Sequence, residues 1–411
     1  MSGVRSRTLA PVYLTHAMVH LAVGLFPAVL VVLHTQFDAS YALLGGVFSA
    51  AMLVYGFGAL PVGLLLDRVS PLLLVRLSLG GITLALVAIA LSPDKIWFAA
   101  GLLLLGFACA PYHTAALTLV SRVSGNDPRL IGHHGMWGNI GLAGAPTFGA
   151  LLAWAVSWRL PFACAAGLGA LLLVPLCTRL PAMAAGSRTT ERPAATGERD
   201  STDRAALALV LAITACLGFV YRGFATFLPA LTAQRADLIP ASALVAGGLL
   251  ASLVYVTGFF GQWWGGHLGG RRRAAWAYAG LLATAAALLA AAFFATDVAL
   301  IVLLAAFSFT HFSSQPMDNT FTGRFTSRRR RGIGYGLSFA LSFGVGSLAA
   351  WLCGLAADAA GGRLQYVLLP LSGAALLAAA LAVALALLTR RHADPPGALH
   401  GAPGESDDLS G

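Results

Sequence analysis

Apolar segments as long as a membrane-spanning helix follow one another along nearly the whole chain. A helix needs about 20 apolar residues to cross the hydrocarbon core of a bilayer. Only helices and closed barrels satisfy their backbone polar groups in lipid, and these segments are too long for barrel strands. The pattern therefore predicts an all-α, polytopic membrane protein. Its twelve predicted transmembrane helices, called spans 1 to 12, are residues 10–33, 41–66, 72–92, 96–120, 131–155, 160–179, 205–231, 241–267, 274–295, 298–322, 333–357 and 365–389.

The second half of the chain repeats the first at a shift of 202 residues. Gly45 aligns with Gly247 and Pro27 with Pro229, each pair at matching points of predicted spans. A parallel repeat of this kind predicts two six-helix bundles with a binding site between them, near the middle of the membrane. The predicted organisation is an N-terminal bundle (1–181), a flexible cytoplasmic linker (182–203), a C-terminal bundle (204–392) and a disordered cytoplasmic tail (393–411).

Charge is scarce, and its placement predicts the topology. Charged residues make up 10% of the chain, against about 25% in soluble domains. With loops assigned alternately to two sides, 21 of the 26 Lys and Arg residues fall on the side of the termini. Positive residues mark cytoplasmic loops, so both termini are predicted in the cytoplasm and the protein in the cell (inner or plasma) membrane. The net charge of +10 then reflects topology and contact with lipid headgroups, and nucleic acid is not an expected partner.

The sequence carries no pattern typical of an enzyme. It has no phosphate-binding glycine loop and no nucleophile with an attendant base, and its loops are too short for a catalytic domain. Its five cysteines lie in predicted spans without metal-ligand spacing, as packing residues do. Clustered histidines are the competing indication of a metal site, but His-rich loops and a ring of acids are missing. We therefore expect no enzymatic activity, no cofactor and no metal site.

The turn between spans 2 and 3 has the sequence GLLLDR at residues 63–68. Together with the six-plus-six arrangement, the cytoplasmic termini and the central linker, this segment resembles the major facilitator superfamily (MFS) over essentially the whole chain. The resemblance implies the MFS fold and a secondary transporter. It also implies that Asp67, Arg68 and, in the second copy of the motif, Arg271 act in gating the cytoplasmic side.

Two further resemblances concern the direction of transport. In span 5, Gly141, Pro146 and Gly149 resemble a family pattern that is carried more often by antiporters, which favours export. The dipeptides Tyr112-His113 and His134-Gly135 resemble those of the fosmidomycin-resistance type of exporter.

Spans 1, 4, 7 and 10 are implied by the same resemblance to line a central cavity, and the polar residues of the apolar spans concentrate on those four. The 202-residue shift pairs His20 with Arg222 and His113 with Gln315, which are all polar residues inside apolar helices. The predicted substrate-binding residues are His20, His113, Arg222, Gln315, Tyr221 and Asn319. The predicted proton-coupling residues are Asp318, His16 and His311.

Each candidate also has a structural interpretation. An arginine well inside a span costs about 2.5–3.5 kcal/mol, so Arg222 either binds the anionic group of a solute or pairs with carbonyls or an acid for packing. Asp318 either exchanges a coupling proton or forms a solvated gate with the basic run 328–331. The histidines either change charge near neutral pH or make interhelical hydrogen bonds.

The predicted function is alternating-access transport of a small organic solute, anionic or zwitterionic, by proton-coupled export. Its partners would be the solute, protons and membrane lipids. The alternatives are uptake of an organic acid, sugar or peptide, and a receptor or scaffold that keeps the fold without transport. Under the first hypothesis Arg222 and His20 should face each other across a shared void.

Overall fold

The computed structural model of the protein is all-α, without strands, over the residues that it describes, which are 2–66, 68–124, 128–178, 202–268, 273–327 and 331–391. Within this part, eleven segments are long and apolar enough to cross a membrane. The helix Pro128–Ala155, which is 28 residues long, occupies the remaining predicted span, span 5. The predicted class of polytopic, all-α membrane protein is therefore confirmed.

Span 4 is the one span of the first half in which the described helix is interrupted. Its two helices are separated by Ala110 and Pro111, because proline lacks the N–H that a continuous helix would need at this point. The helices of spans 1 to 6 are Ser2–Gln36, Tyr41–Leu65, Pro71–Ala90, Lys95–Cys109 with Tyr112–Ser124, Pro128–Ala155, and Leu160–Thr178.

Span 11 carries the main irregularity of the second half. A π-helical turn, Ala340–Gly344, is followed by a 3-10 turn, Val345–Ser347. Single π turns within α-helices are frequent at functional sites. The helices of spans 7 to 12 are Arg204–Arg235, Ala243–Leu268, Ala274–Ala292, Asp297–Phe325, Arg331–Phe339 with Leu348–Ala359, and Leu368–Arg391.

The spans alternate in direction, so the start of span 1 and the end of span 12 share one face of the bundle, here called the terminal face. The opposite face is called the distal face. Short side chains begin several helices by accepting hydrogen bonds from free backbone N–H groups. Ser40 accepts one from Leu43 N (3.1 Å) at the start of span 2. Asp203 does the same for Ala206 N (3.1 Å) at the start of span 7.

Two main seams join the first six spans to the last six, one between spans 2 and 11 and one between spans 5 and 8, and spans 1 and 7 also contact each other. In the first seam, a Cβ placed on Gly45 would overlap the carbonyl oxygen of Ala350. In the second, Thr147 Oγ1 donates a hydrogen bond to Ser252 Oγ (2.7 Å). Small residues and side-chain hydrogen bonds of this kind are what bring helices together in lipid.

The seam between spans 2 and 11 ends at the distal face in a charge-assisted contact, here called the distal clasp. The carboxylate of Asp358, near the end of span 11, accepts hydrogen bonds from Tyr41 N (3.0 Å) and Ala42 N (2.8 Å). These are the first N–H groups of span 2, where the helix dipole favours a negative charge. The clasp therefore holds the two halves together at the distal face.

The division into two bundles, a linker and a tail stays a prediction. Of the predicted linker 182–203, only Thr202 and Asp203 are described, and their hydrogen bonds tie the start of span 7 to the end of span 10. Ser327 N donates to Thr202 Oγ1 (3.1 Å), and Asp203 N donates to Phe325 O (3.2 Å). The predicted tail 393–411 lies outside the described residues.

The substitution Gly45→Ala should destabilise the protein, because the new Cβ would push spans 2 and 11 apart along their backbones. Overpacking of this kind costs about 1–3 kcal/mol. Thermal unfolding in detergent measures the effect. Gly80→Ala in span 3 is the control, since a Cβ there would meet nothing within 4 Å. Equal unfolding temperatures for the two variants would contradict the close approach of the seam.

Candidate transport site

A small cavity of about 30 Å³ lies between the two halves of the protein. Its walls come from spans 1, 2, 5, 7, 8 and 11. Arg222 and His20 both line it, as expected for a shared void. The polar and aromatic side chains around it include His20, Tyr55, Tyr221, Arg222, Tyr255 and Phe343.

Arg222 is the charged group of this cavity, and it is only 5% exposed. Its guanidinium lies 4.3 Å from the centre of the Phe343 ring, a cation–π contact. Its Nη1 makes a long contact of 3.7 Å with Met52 Sδ. Its Nε and Nη2 have no hydrogen-bond partner in the described part of the chain. The cation is thus held by aromatic and sulfur atoms, with two donors left for a ligand.

Phe343 reaches Arg222 because it belongs to the π turn of span 11. It also stacks on Phe339 with ring centroids 4.2 Å apart. Phe343 was not among the predicted site residues, since one phenylalanine among the many in apolar spans carries no signal. The π turn would have been the signal, but it is a backbone feature that residue types do not encode.

Three histidines of the first half, His16, His20 and His113, form a cluster called here the histidine trio. Their ring centroids are 4.9 to 5.4 Å apart, and the rings meet edge-on. His20 lines the cavity, and His113 packs behind it against the Phe343 ring at 5.9 Å. His134 stacks on His16 at 4.1 Å and accepts a hydrogen bond from its Nδ1 through the backbone carbonyl (2.6 Å). The trio is thus a polar wall adjoining the cavity.

Gln315 takes part in an interhelical chain of amides and does not line the cavity. Gln262 Nε2 of span 8 donates to Gln315 Oε1 (2.8 Å). Asn139 Nδ2 of span 5 donates to Gln262 Oε1. This chain of three amide side chains therefore crosses the seam between spans 5 and 8. Asn319 lies on the exposed side of span 10, also away from the cavity walls.

Asp318 is buried (6% exposed) inside the C-terminal half, between spans 7, 9 and 10. Thr214 Oγ1 donates to both of its carboxylate oxygens (2.9 and 2.8 Å), and Tyr278 OH donates to Oδ1 (2.8 Å). This environment does not fit a solvated gate, because the group is enclosed and its described partners are hydroxyls. The predicted partners 328–330 lie outside the described residues. Thr214 and Tyr278 were not among the predicted site residues, since the sequences of spans 7 and 9 gave no reason to pair them with span 10.

His311 occupies the C-terminal half, where it stacks on Tyr221 with ring centroids 6.2 Å apart. It is 2% exposed, and its Nε2 has no partner in the described part of the protein. Because Tyr221 lines the cavity, His311 lies one ring behind the cavity wall.

The predicted gating residues are only partly described. Asp67 and Arg271 lie outside the described residues, and the Arg68 side chain is exposed at the terminal face. The distal clasp formed by Asp358 is a contact between the halves that sequence analysis missed. Its signal was a single acid near the end of span 11, which is indistinguishable from a loop acid in the sequence.

Comparison with known proteins agrees with this architecture. The chain matches the family described as Major Facilitator Superfamily over residues 12–350. It resembles a bacterial homolog of the human lysosomal transporter Spinster in an inward-facing, occupied conformation, with a TM-score of 0.75 and 16% identity over 94% of this chain and 97% of that one. No curated protein sequence matches the chain.

Two other solved structures are similar. The nucleoside transporter NupG has a TM-score of 0.73 at 15% identity, over 92% of this chain and 99% of that chain. The peptide transporter POT in complex with sulfate has a TM-score of 0.74 at 14% identity, over 94% of both chains. At these identities the likeness concerns the fold.

The family match spans far more than half of the chain, and the fold agrees with it. The protein belongs to the major facilitator superfamily. It is a multi-pass membrane transporter of the secondary type and not an enzyme, as the sequence predicted.

The substitution Tyr278→Phe should lower the free energy of unfolding by about 1–3 kcal/mol, because it leaves a buried acceptor with one donor fewer. Equilibrium unfolding in detergent measures the loss. Tyr335→Phe is the control, since Tyr335 is exposed and its hydroxyl lies 3.4 Å from Asn319 O. In an Asp318→Ala background the loss from Tyr278→Phe should shrink. An undiminished loss there would contradict the pairing.

Proposed function

We propose that the protein exports a small organic solute, anionic or zwitterionic, by alternating access coupled to a proton gradient. The observation that carries the proposal is Arg222, a buried cation with two unpartnered donors facing a cavity between the halves. The terminal face would be cytoplasmic and the membrane the cell membrane. Solute, protons and lipids would be its partners.

The cation explains the choice of an anionic solute. A guanidinium inside a membrane protein is expensive unless it faces a cavity or a partner. Its planar fork matches a carboxylate or phosphonate through two parallel hydrogen bonds. The Phe343 ring covers the guanidinium at 4.3 Å, which leaves the Nε and Nη2 donors for the solute. His20 and Tyr221 in the same walls supply further polar contacts.

Asp318 is the best placed group for proton coupling. Its carboxylate bonds to Thr214 of span 7 and Tyr278 of span 9, so it connects span 10 to two neighbours. Gain of a proton would convert an acceptor into a donor and rearrange these bonds. Span 7 carries Arg222 two helical turns from Thr214, roughly 12 Å along the axis. A change at Asp318 would therefore reach the solute site through span 7. His16 and His311 remain secondary candidates for the same role.

Export is favoured by the glycine pattern of span 5. Gly141 packs against the backbone of Ala17, and Gly149 lies over Ala28, so the pattern seats span 5 on span 1. Uptake of an organic acid, sugar or peptide is the competing function, and one similar structure, POT, is named as a peptide transporter. Gating by Asp67, Arg68 and Arg271 stays part of the proposal. A receptor without transport is the remaining alternative.

The substitution Arg222→Ala should reduce solute flux about 10-fold or more, because a hydrogen bond to a charged group contributes about 1.5–3 kcal/mol. Purified protein in proteoliposomes would be screened with labelled monocarboxylates, phosphonates and dipeptides, under pH gradients of both directions. Arg222→Lys should recover part of the flux, since it keeps the charge without the planar fork.

Arg76→Ala is the matched control for Arg222→Ala. Arg76 is a half-buried arginine of span 3 that donates to Leu176 O (2.9 Å), outside the cavity. Its flux should stay near that of the unchanged protein. An unchanged solute flux in the Arg222→Ala variant would contradict the proposed site. Absence of flux for every solute class would favour the receptor.

The substitution Asp318→Asn should separate transport from its driving force. The amide keeps the shape of the side chain but cannot exchange a proton, so exchange of labelled for unlabelled solute should continue while gradient-driven accumulation is lost. Asp297→Asn, at the distal start of the same span, is the control and should keep both. Accumulation by Asp318→Asn would contradict its role in coupling.

A further inference from the structure

The histidine trio has the geometry of a set of metal ligands. One ring nitrogen from each of His16, His20 and His113 can be chosen so that the three lie within 4.8 Å of one another. The rings meet at 61° to 82°, edge-on, so the three rings converge without stacking on one another. Donors about 2.0–2.1 Å from a tetrahedral ion lie roughly 3.4 Å apart. Small side-chain rotations would close the remaining difference.

Two atoms of the trio lack the partners that buried polar atoms require. His16 Nε2 and His113 Nε2 are buried and have no hydrogen-bond partner in the described part of the chain. Buried groups of this kind require an explanation, and an ion is one of the few that exist. Two unpartnered imidazole nitrogens within one cluster of three histidines are difficult to explain by packing alone.

The tautomer of His16 can be deduced from its partner. Its Nδ1 lies 2.6 Å from the carbonyl oxygen of His134, and a carbonyl only accepts, so Nδ1 carries the hydrogen. In the neutral ring the lone pair is then on Nε2. Metal-binding histidines commonly donate their other N–H in this way, which fixes the ring and its tautomer.

The surroundings of His16 hold the ring in place. His134 stacks on it at 4.1 Å with the planes 17° apart. On span 5, Gly138 leaves the space that the ring fills, because a Cβ there would come within 2.7 Å of His16 Cε1. This support is what a precise ligand site needs.

We propose that His16, His20 and His113 bind a divalent transition-metal ion, with a fourth coordination position that opens to the cavity through His20. Neutral imidazoles suit zinc, copper, nickel and iron, whereas magnesium and calcium prefer oxygen ligands. Three protein ligands with an open position are typical of ions that bind a further, exchangeable ligand.

The fourth ligand follows from charge. His20 and Arg222 line the same cavity, so a divalent ion on the trio would face a second cation across it. An anionic group between them would bind both, one oxygen on the ion and others on the free guanidinium donors. This part of the inference rests on the proposed function, because the anion would be the solute. The solute class then includes organic anions that chelate a transition metal.

The test is binding of Co²⁺, which reports its coordination by visible absorption, to the full-length protein in detergent with any affinity tag removed. We expect one ion per chain with the spectrum of a four-coordinate site. His16→Ala, His20→Ala and His113→Ala should each weaken binding at least 10-fold. Zn²⁺ should displace Co²⁺, and excess Mg²⁺ should not.

His34→Ala is the matched control. His34 also lies on span 1, and its Nδ1 also contacts a backbone carbonyl, that of Ala39 (2.7 Å), but it is not part of the trio. It should bind Co²⁺ as the unchanged protein does. Gly138→Ala should weaken binding without removing a ligand. Zn²⁺ should raise the unfolding temperature of the His34→Ala variant and leave that of the folded His113→Ala variant unchanged.

Absence of the four-coordinate spectrum, or equal binding by the trio variants and His34→Ala, would overturn the metal site. Neither result bears on the proposed function, which is tested by the dependence of solute flux on Arg222. Conversely, Co²⁺ binding by a protein without Arg222-dependent flux would support the metal site and reject the transport proposal. The two failures are therefore distinguishable.

Discussion

The burial of one positive charge between the first six and the last six spans constrains the rest of this structure. Arg222 is covered by the Phe343 ring and touched by Met52 sulfur, and neither neutralises it. Aromatic faces offset part of the desolvation, but a guanidinium keeps directional donors that only an anion or an oxygen can satisfy. Apart from the distal clasp, the described contacts of the seams around the cavity are made by glycine, other small residues and neutral hydrogen bonds. The cavity is therefore a mainly apolar pocket that contains one cationic group.

The two halves contribute different kinds of polar side chain to the interior of the protein. The first half contributes clustered imidazoles, with neutral donors and acceptors. The second half contributes the guanidinium of Arg222 and the enclosed carboxylate of Asp318. Arg222 lies on span 7 at the cavity, whereas Asp318 lies on span 10 against Thr214, away from the cavity walls. If the two charges were adjacent they would satisfy each other, and neither would be free for a ligand or a proton. Their separation is what keeps both chemically available.

The architecture could be predicted from the sequence because it depends on length and hydrophobicity alone. Twelve apolar segments and a 202-residue repeat determine the class of fold, and the resemblance of GLLLDR supplies the family. The site could be predicted only where one residue stands out from its span. Arg222 and His20 were found in this way, and both line the cavity.

The remainder depends on which way a side chain points, which spacing along one helix does not encode. Gln315 and Asn319 share span 10 with Asp318, yet the first joins an amide chain across a seam and the second is exposed. Tyr278 was not predicted as a site residue because span 9 is not among the four spans that were expected to line the cavity. The contact of Phe343 with Arg222 depends on the π turn of span 11, which is a feature of the backbone. Partners across helices are set by how the helices pack against one another, and that information lies in pairs of residues and not in any one of them.

The π turn of span 11 accommodates one residue more than an α-helix would over the same length. An α-helix rotates by about 100° for each residue. If the wide turn migrated or closed by one position, the Phe343 ring would swing off the guanidinium, while Asp358 at the far end of the same span would be pulled against its N–H donors on span 2. Such a change in the π turn would therefore affect the cation and the distal clasp together.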